Sequence, residues 1–153
     1  MNIFELKITR DQTKHTKINI SIDGMTVDEP HPIDLRELVR SCSDSGHFFI
    51  FTCGCGDAGC ANIHDGVQIT RHANSVCWQF RRPQSADKFS DIKEWRRESQ
   101  ENIYTFEWSD YVKAIKTAVI NADENHPSDT EYSPYGFERS DLHRLALACN
   151  KIK

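Results

Sequence analysis

No apolar run in this 153-residue chain approaches the length of a bilayer-spanning helix, so none of its segments reads as a membrane span. The first ten residues, from Met1 to Arg10, lack the basic head, apolar stretch and small-residue cleavage site of a secretory signal, and the expectation is a cytoplasmic protein. Glycine is scarce, at seven residues, and proline scarcer, at five. No glycine-rich phosphate loop, dinucleotide fingerprint, Gly-x-Ser-x-Gly elbow or His-Glu-x-x-His helix occurs, which removes the common nucleotide-dependent, serine-hydrolase and zinc-protease readings. Internal repeats and low-complexity tracts are missing too. A strong charge of either sign is also absent, the net value being -4. The one basic strip, with Arg81, Arg82, Lys88, Lys93, Arg96 and Arg97 among Phe80, Phe89 and Trp95, carries four acidic residues of its own, which argues against nucleic acid as the partner.

Cysteine is not scarce. Three of the six stand in the stretch Cys53-Gly-Cys55-Gly-Asp-Ala-Gly-Cys60-Ala-Asn-Ile-His64, together with a histidine and three of the seven glycines. Cys53, Cys55, Cys60 and His64 are the ligand set of a tetrahedral structural zinc site, and the glycines allow the tight return that would make them converge. Two other readings stay open: a metal-free glycine-rich turn with buried thiols, and reactive cysteine chemistry with Asp57 or Asp65 near His64. A domain of this size does not need metal to fold. Cys42, Cys77 and Cys149 sit far apart among apolar neighbours and read as core residues.

The rest of the chain reads as one α+β domain spanning 1–153, a mostly antiparallel sheet of about six strands with three helices on one face or at one end. Period-two alternation at Phe4, Leu6 and Ile8 and at Ile18, Ile20 and Ile22 predicts an N-terminal hairpin, and Met25 and Val27 a short third strand after the Asp23-Gly24 turn. The run Phe48 to Thr52 predicts a central strand that delivers the chain into the cysteine cluster. Val67 with Ile69, Val76 with Trp78 and Phe80, and Tyr104 with Phe106 and Trp108 predict three more strands. Three helices are expected. The first is capped by Asp34 with Glu37 completing a capping box, the second by Ser109 and the third by Ser140. Residues 121–136 read as a loop, and residues 81–102 as a loop or a short amphipathic helix.

Between Glu101 and Asp141 nine acidic residues face three basic ones. Glu107, Asp110, Asp123, Glu124, Asp129 and Glu131 are therefore the candidate contacts for a basic protein partner. From Phe48 to Phe80 the chain resembles small uncharacterised bacterial proteins that carry Cys-x-Cys-Gly-x-x-Gly-Cys before a Val-x-Trp strand, here Val76-Cys-Trp78; this resemblance implies no activity. In overall character the chain also resembles bacterial immunity proteins, small acidic cytoplasmic domains without a catalytic constellation. That resemblance implies a protein-binding module that neutralises a cognate toxin. The alternative is a small zinc- or thiol-dependent enzyme built on Cys53 to His64.

Overall fold

A computed structural model of the chain describes residues 1–10, 12, 15–27, 31–61, 66–80, 103–125, 131–132 and 137–153. The expectation for 81–102 falls outside these residues. Strands β1 (Phe4–Arg10), β2 (His15–Ile22) and β3 (Met25–Val27) form an antiparallel sheet in sequence order, with Phe4 opposite Ile22 and Ile20 opposite Val27. The β2–β3 turn places both Asp23 (φ 53°) and Gly24 (φ 78°) in the left-handed region, as a two-residue hairpin with the right twist requires. Asp23 is kept there by its carboxylate, which accepts from Asn2 Nδ2 and from the Ile3 amide, both at 2.7 Å.

A second sheet runs β4 (Gly46–Phe48), β5 (Val67–Arg71), β6 (Ser75–Gln79) and β7 (Ile103–Glu107), each antiparallel to the next. The two-residue strand β8 (Glu131–Tyr132) lies parallel to β2 at His15 and Thr16. The α+β class therefore holds, but the strands form two sheets rather than one of about six. They meet where the Asn2 amide donates to the Thr105 carbonyl at 2.7 Å, where Asn2 Oδ1 accepts from the Thr105 amide at 2.9 Å, and where Phe4 packs on Trp78 and Phe106.

Helix α1 (Leu35–Arg40) begins at Asp34, α2 (Trp108–Asn125) follows β7 without a break, and α3 (Arg139–Cys149) ends near the C-terminus. Helix α2 packs on β1, β6 and β7, while α1 and α3 pack on α2. One apolar cluster runs through both sheets and all three helices. At its centre Trp78 meets Phe4, Phe106 and Tyr111 edge-on, with ring centroids 5.5, 5.8 and 6.0 Å away, the arrangement the ring quadrupoles favour.

Several local expectations change. The run Phe48 to Thr52 is not one strand: β4 stops at Phe48, and Phe51 bridges Ile33 instead. The Asp34 amide donates to the Ile50 carbonyl at 2.7 Å and the Thr52 amide to the Pro32 carbonyl at 3.0 Å, so the segment is buried by turning away from the sheet. Asp34 caps α1 by accepting from the Arg36 amide at 2.9 Å, yet Glu37 closes no capping box; its carboxylate accepts from the Phe49 amide at 3.2 Å and pairs with Arg40. Ser109 and Ser140 lie inside their helices. Glu107 caps α2 and Glu138 precedes α3, with Asp141 accepting from the Glu138 amide at 2.9 Å. Helix α2 also extends to Asn125, into the expected loop. Cys42 and Cys149 are buried as expected, whereas Cys77 is half-buried on the outer face of β6.

Candidate functional site: a three-cysteine loop

The loop is anchored before it begins. Ile50 and Phe51 are fully buried, and Thr52 Oγ1 donates to the Cys53 carbonyl at 3.1 Å. The chain then turns within four residues: the Gly56 amide donates to the Cys53 carbonyl at 2.9 Å, and the Cys53 amide to the Asp57 carbonyl at 3.3 Å. Gly56 sits at φ 86°, where a Cβ would be strained. Asp57 then folds its carboxylate onto the Gly59 amide at 2.8 Å and starts the 3₁₀ turn Gly59–Ala61, which brings Cys60 back toward the first two cysteines. Ala58 is buried between these exposed residues and pins the loop to the core.

The three sulfur atoms lie within 4.8 Å of one another. Cys53 and Cys55 are joined as a disulfide, with Cα atoms 5.4 Å apart, and Cys60 is an exposed free thiol. The Cys55 amide also donates to Cys53 Sγ, at 3.3 Å. Zinc–sulfur bonds of about 2.3 Å in a tetrahedron place ligand sulfurs about 3.8 Å apart, so closing on an ion requires the Cys53–Cys55 pair to be reduced and to part while Cys60 stays within reach. Cys53, Cys55 and Cys60 can thus hold a metal when reduced. While the disulfide stands, two of the three are not thiolates. His64, the expected fourth ligand, lies outside the described residues.

Beside the loop is an open cleft of about 680 Å³ whose walls include Glu37, Arg40, His47, Phe49, Thr52 and Asp57. Phe49 is 40 % exposed there, although it stands in the apolar run Phe48 to Phe51. The sequence reading missed this cleft. Its one available signal was an extra aromatic in a run where alternate residues should be buried.

The described candidate acids differ in their surroundings. Glu107 is taken up as the α2 cap: its carboxylate accepts from Ser109 Oγ at 2.5 Å and from the Asp110 amide at 3.0 Å, and these bonds hold it below the usual carboxylate range. Asp123 is half-buried and accepts from the Arg139 guanidinium and from His143 Nδ1 at 3.0 Å. Burial alone would raise its pKa, but these hydrogen bonds and charges outweigh it and hold the carboxyl low. Asp110 and Glu124 are exposed at opposite ends of α2, about 21 Å apart along the axis at 1.5 Å per residue. Glu131 lies in β8, and Asp129 is outside the described residues.

A second concave feature was not expected. Strand β1 and helix α2 enclose a groove of about 620 Å³, with Leu6, Ile8, Ala114 and Ala118 among its apolar lining and Lys7 and Asp110 among its charged residues. Among the described residues no strand pairs with the other edge of β1 between Phe4 and Arg10. No helix among the described residues is long and apolar enough to cross a membrane. Compared with known protein families, characterised proteins and solved structures, the chain matches none.

Proposed function

We propose that the chain is a small cytoplasmic protein-binding module whose partner lays an extended segment along β1 in the groove against α2. Its most concrete form is a bacterial immunity protein that neutralises a cognate basic toxin domain. The groove carries this reading: an edge strand offers its backbone to a further strand, and the helix beside it offers small apolar side chains and the exposed carboxylate of Asp110. Among the candidate acids whose side chains are described, Asp110 and Glu124 are left to steer a basic partner, since Glu107 and Asp123 serve the fold; Asp129 and Glu131 stay in the proposed set. For the cysteine loop we propose zinc in a structural role, held by Cys53, Cys55 and Cys60 with His64 as fourth ligand.

The test uses the protein encoded directly upstream of this chain as the binding probe. Thr117→Arg, at an exposed groove residue, should weaken binding at least 100-fold with an unchanged thermal melt, because a long cation fills the slot a strand would take. The double variant Asp110→Lys, Glu124→Lys should slow association and reduce its salt dependence. Binding of Thr117→Arg at wild-type strength would refute the groove.

The second reading, a zinc- or thiol-dependent enzyme, is favoured by one observation, the exposed cysteine loop beside the 680 Å³ cleft. A water-bearing fourth position in the zinc-loaded protein would support it over the structural role, and a closed four-ligand site would exclude it.

A further inference from the structure

The same three sulfurs serve two incompatible states, and we infer that the loop is a redox-gated metal site that releases a soft divalent cation when Cys53 and Cys55 are oxidised. The inference rests on the zinc reading of the cluster and adds the release step. Three observations carry it. Cys53, Cys55 and Cys60 lie within 4.8 Å of one another, close enough to share one ion. Cys53 and Cys55 are also within bonding reach of each other, as their disulfide shows. Cys55 and Cys60 are exposed while Cys53 is half-buried, so an external reagent meets Cys55 and Cys60 before Cys53. The remaining cysteines do not enter: Cys42 and Cys149 are buried in the core, and Cys77 lies on the outer face of β6.

The oxidant is a low-molecular-weight disulfide, RSSR. The Cys55 thiolate attacks one sulfur of RSSR, forming a Cys55–SR mixed disulfide as the S–S bond of the reagent breaks and RS⁻ leaves. Cys53 Sγ then attacks Cys55 Sγ, the Cys53–Cys55 bond forms, and the second RS⁻ departs. Two electrons have passed from the cysteine sulfurs to RSSR, and each RS⁻ takes a proton from solvent. The cation has lost two of its three sulfur ligands, keeps only Cys60 among them, and passes to solvent or a chelator. A dithiol reductant runs the exchange backwards and restores the three thiolates.

Competing oxidations are disfavoured by the backbone. The turn from Cys53 to Gly56 is closed by the Gly56 amide on the Cys53 carbonyl, which holds the two cysteines of the pair together whatever the 3₁₀ turn of Cys60 does. Cys60 has a different task. Its sulfur makes the difference between a two-thiolate and a three-thiolate site, and so sets how sharply affinity falls on oxidation.

The experiment uses the full chain, reduced with a dithiol, freed of reductant without air and loaded with zinc ion alone. One zinc per chain is expected. Glutathione disulfide is then added, and zinc release to a chromophoric chelator is followed together with intact mass and peptide mapping. Release should keep pace with the loss of two hydrogen masses, the disulfide should map to Cys53 and Cys55, and renewed reduction should restore uptake. Cys60→Ser should still form that disulfide but bind zinc about tenfold or more weakly when reduced, since losing a ligand costs at least as much as losing a supporting contact. No zinc uptake by the reduced wild-type protein would overturn both the zinc reading and the gate. Zinc kept after the hydrogens are lost, or a disulfide that takes in Cys60, would overturn the gate alone.

Discussion

Removing one hydroxyl from the core should cost more than its size suggests. Trp78, Tyr111 and Ser41 are all fully buried, and their polar atoms form one directed chain. Trp78 Nε1 donates to the Tyr111 hydroxyl at 3.3 Å; that hydroxyl lies 2.6 Å from Ser41 Oγ, which in turn donates to the Leu38 carbonyl at 2.6 Å. Indole nitrogen can only donate and the carbonyl can only accept, so the proton order is set along the whole chain and Tyr111 must donate to Ser41. Burial raises the Tyr111 pKa above its ordinary range, which favours the protonated phenol that this order requires. Tyr111→Phe preserves the ring and opens no cavity, but it leaves the Trp78 N–H without its partner in a fully buried site. An orphaned buried donor costs about 1–3 kcal/mol and the lost bond to Ser41 about 1 kcal/mol, giving about 2–4 kcal/mol in total. For a chain of this length that corresponds to a melting temperature lower by about 4–16 °C. Urea unfolding followed by circular dichroism should show a lower midpoint with an unchanged slope. Ser41→Ala should cost about 1–2 kcal/mol alone, and the double variant about 1 kcal/mol less than the sum, because both changes break the same bond. A Tyr111→Phe loss below about 0.5 kcal/mol, or strict additivity, would refute the directed chain.

Three further outcomes are expected. A Cβ on Gly66 would stand 2.8 to 2.9 Å from backbone atoms of Phe48, which cannot swing aside, so Gly66→Ala should destabilise by about 1–3 kcal/mol in the same urea assay; equal stability would mean the strands part easily there. In thiol titration of the native disulfide form, Cys60 should react fast, and reduction should raise the fast count to three. Burial pushes the Cys42 thiol up to about 12 and the Cys149 thiol up to about 11, so rapid labelling of either before unfolding would contradict the packing. The folded-state pKa of Asp123 lies below its ordinary value of 3.8, so its contribution is fully present above that value and is lost as pH falls through the depressed one. Asp123→Asn should therefore lose about 1–3 kcal/mol at neutral pH, by leaving Arg139 unmatched, and flatten the decline below pH 4; an unchanged acid profile would count against the Arg139 and His143 pairing.

Strands were the legible part of the chain because one face of each is buried, which stamps period two on Phe4 to Ile8, Ile18 to Ile22 and Val76 to Phe80. The run Phe48 to Thr52 misled for the complementary reason. Continuous burial says that a segment is covered, not which backbone it pairs with, and Ile33 is not marked as a partner by any pattern. Helix starts were displaced by one or two residues because serine is the better intrinsic cap, whereas here β7 runs straight into α2 and leaves Glu107 at the junction, with a side chain long enough to fold back. The acidic run was read as surface charge because composition does not reveal that Arg139, sixteen residues on, has claimed Asp123. Cysteine density did point to a thiol-rich site. Its division into a joined pair and a free third depended on the turn at Gly56, which spacing alone does not dictate.

The contact between Phe48 and Gly66 bears on how such a chain can evolve. The polypeptide leaves the second sheet after Phe48 and rejoins it at Gly66, where the two backbones are nearly in touch. Between them Ile50, Phe51, Thr52 and Ala58 are buried, whereas Gly54, Cys55, Asp57, Gly59 and Cys60 are exposed, so these loop positions can change without shifting the register of Phe48 against Val67. Sulfur chemistry thus sits on mostly exposed loop positions, apart from the buried framework around Trp78.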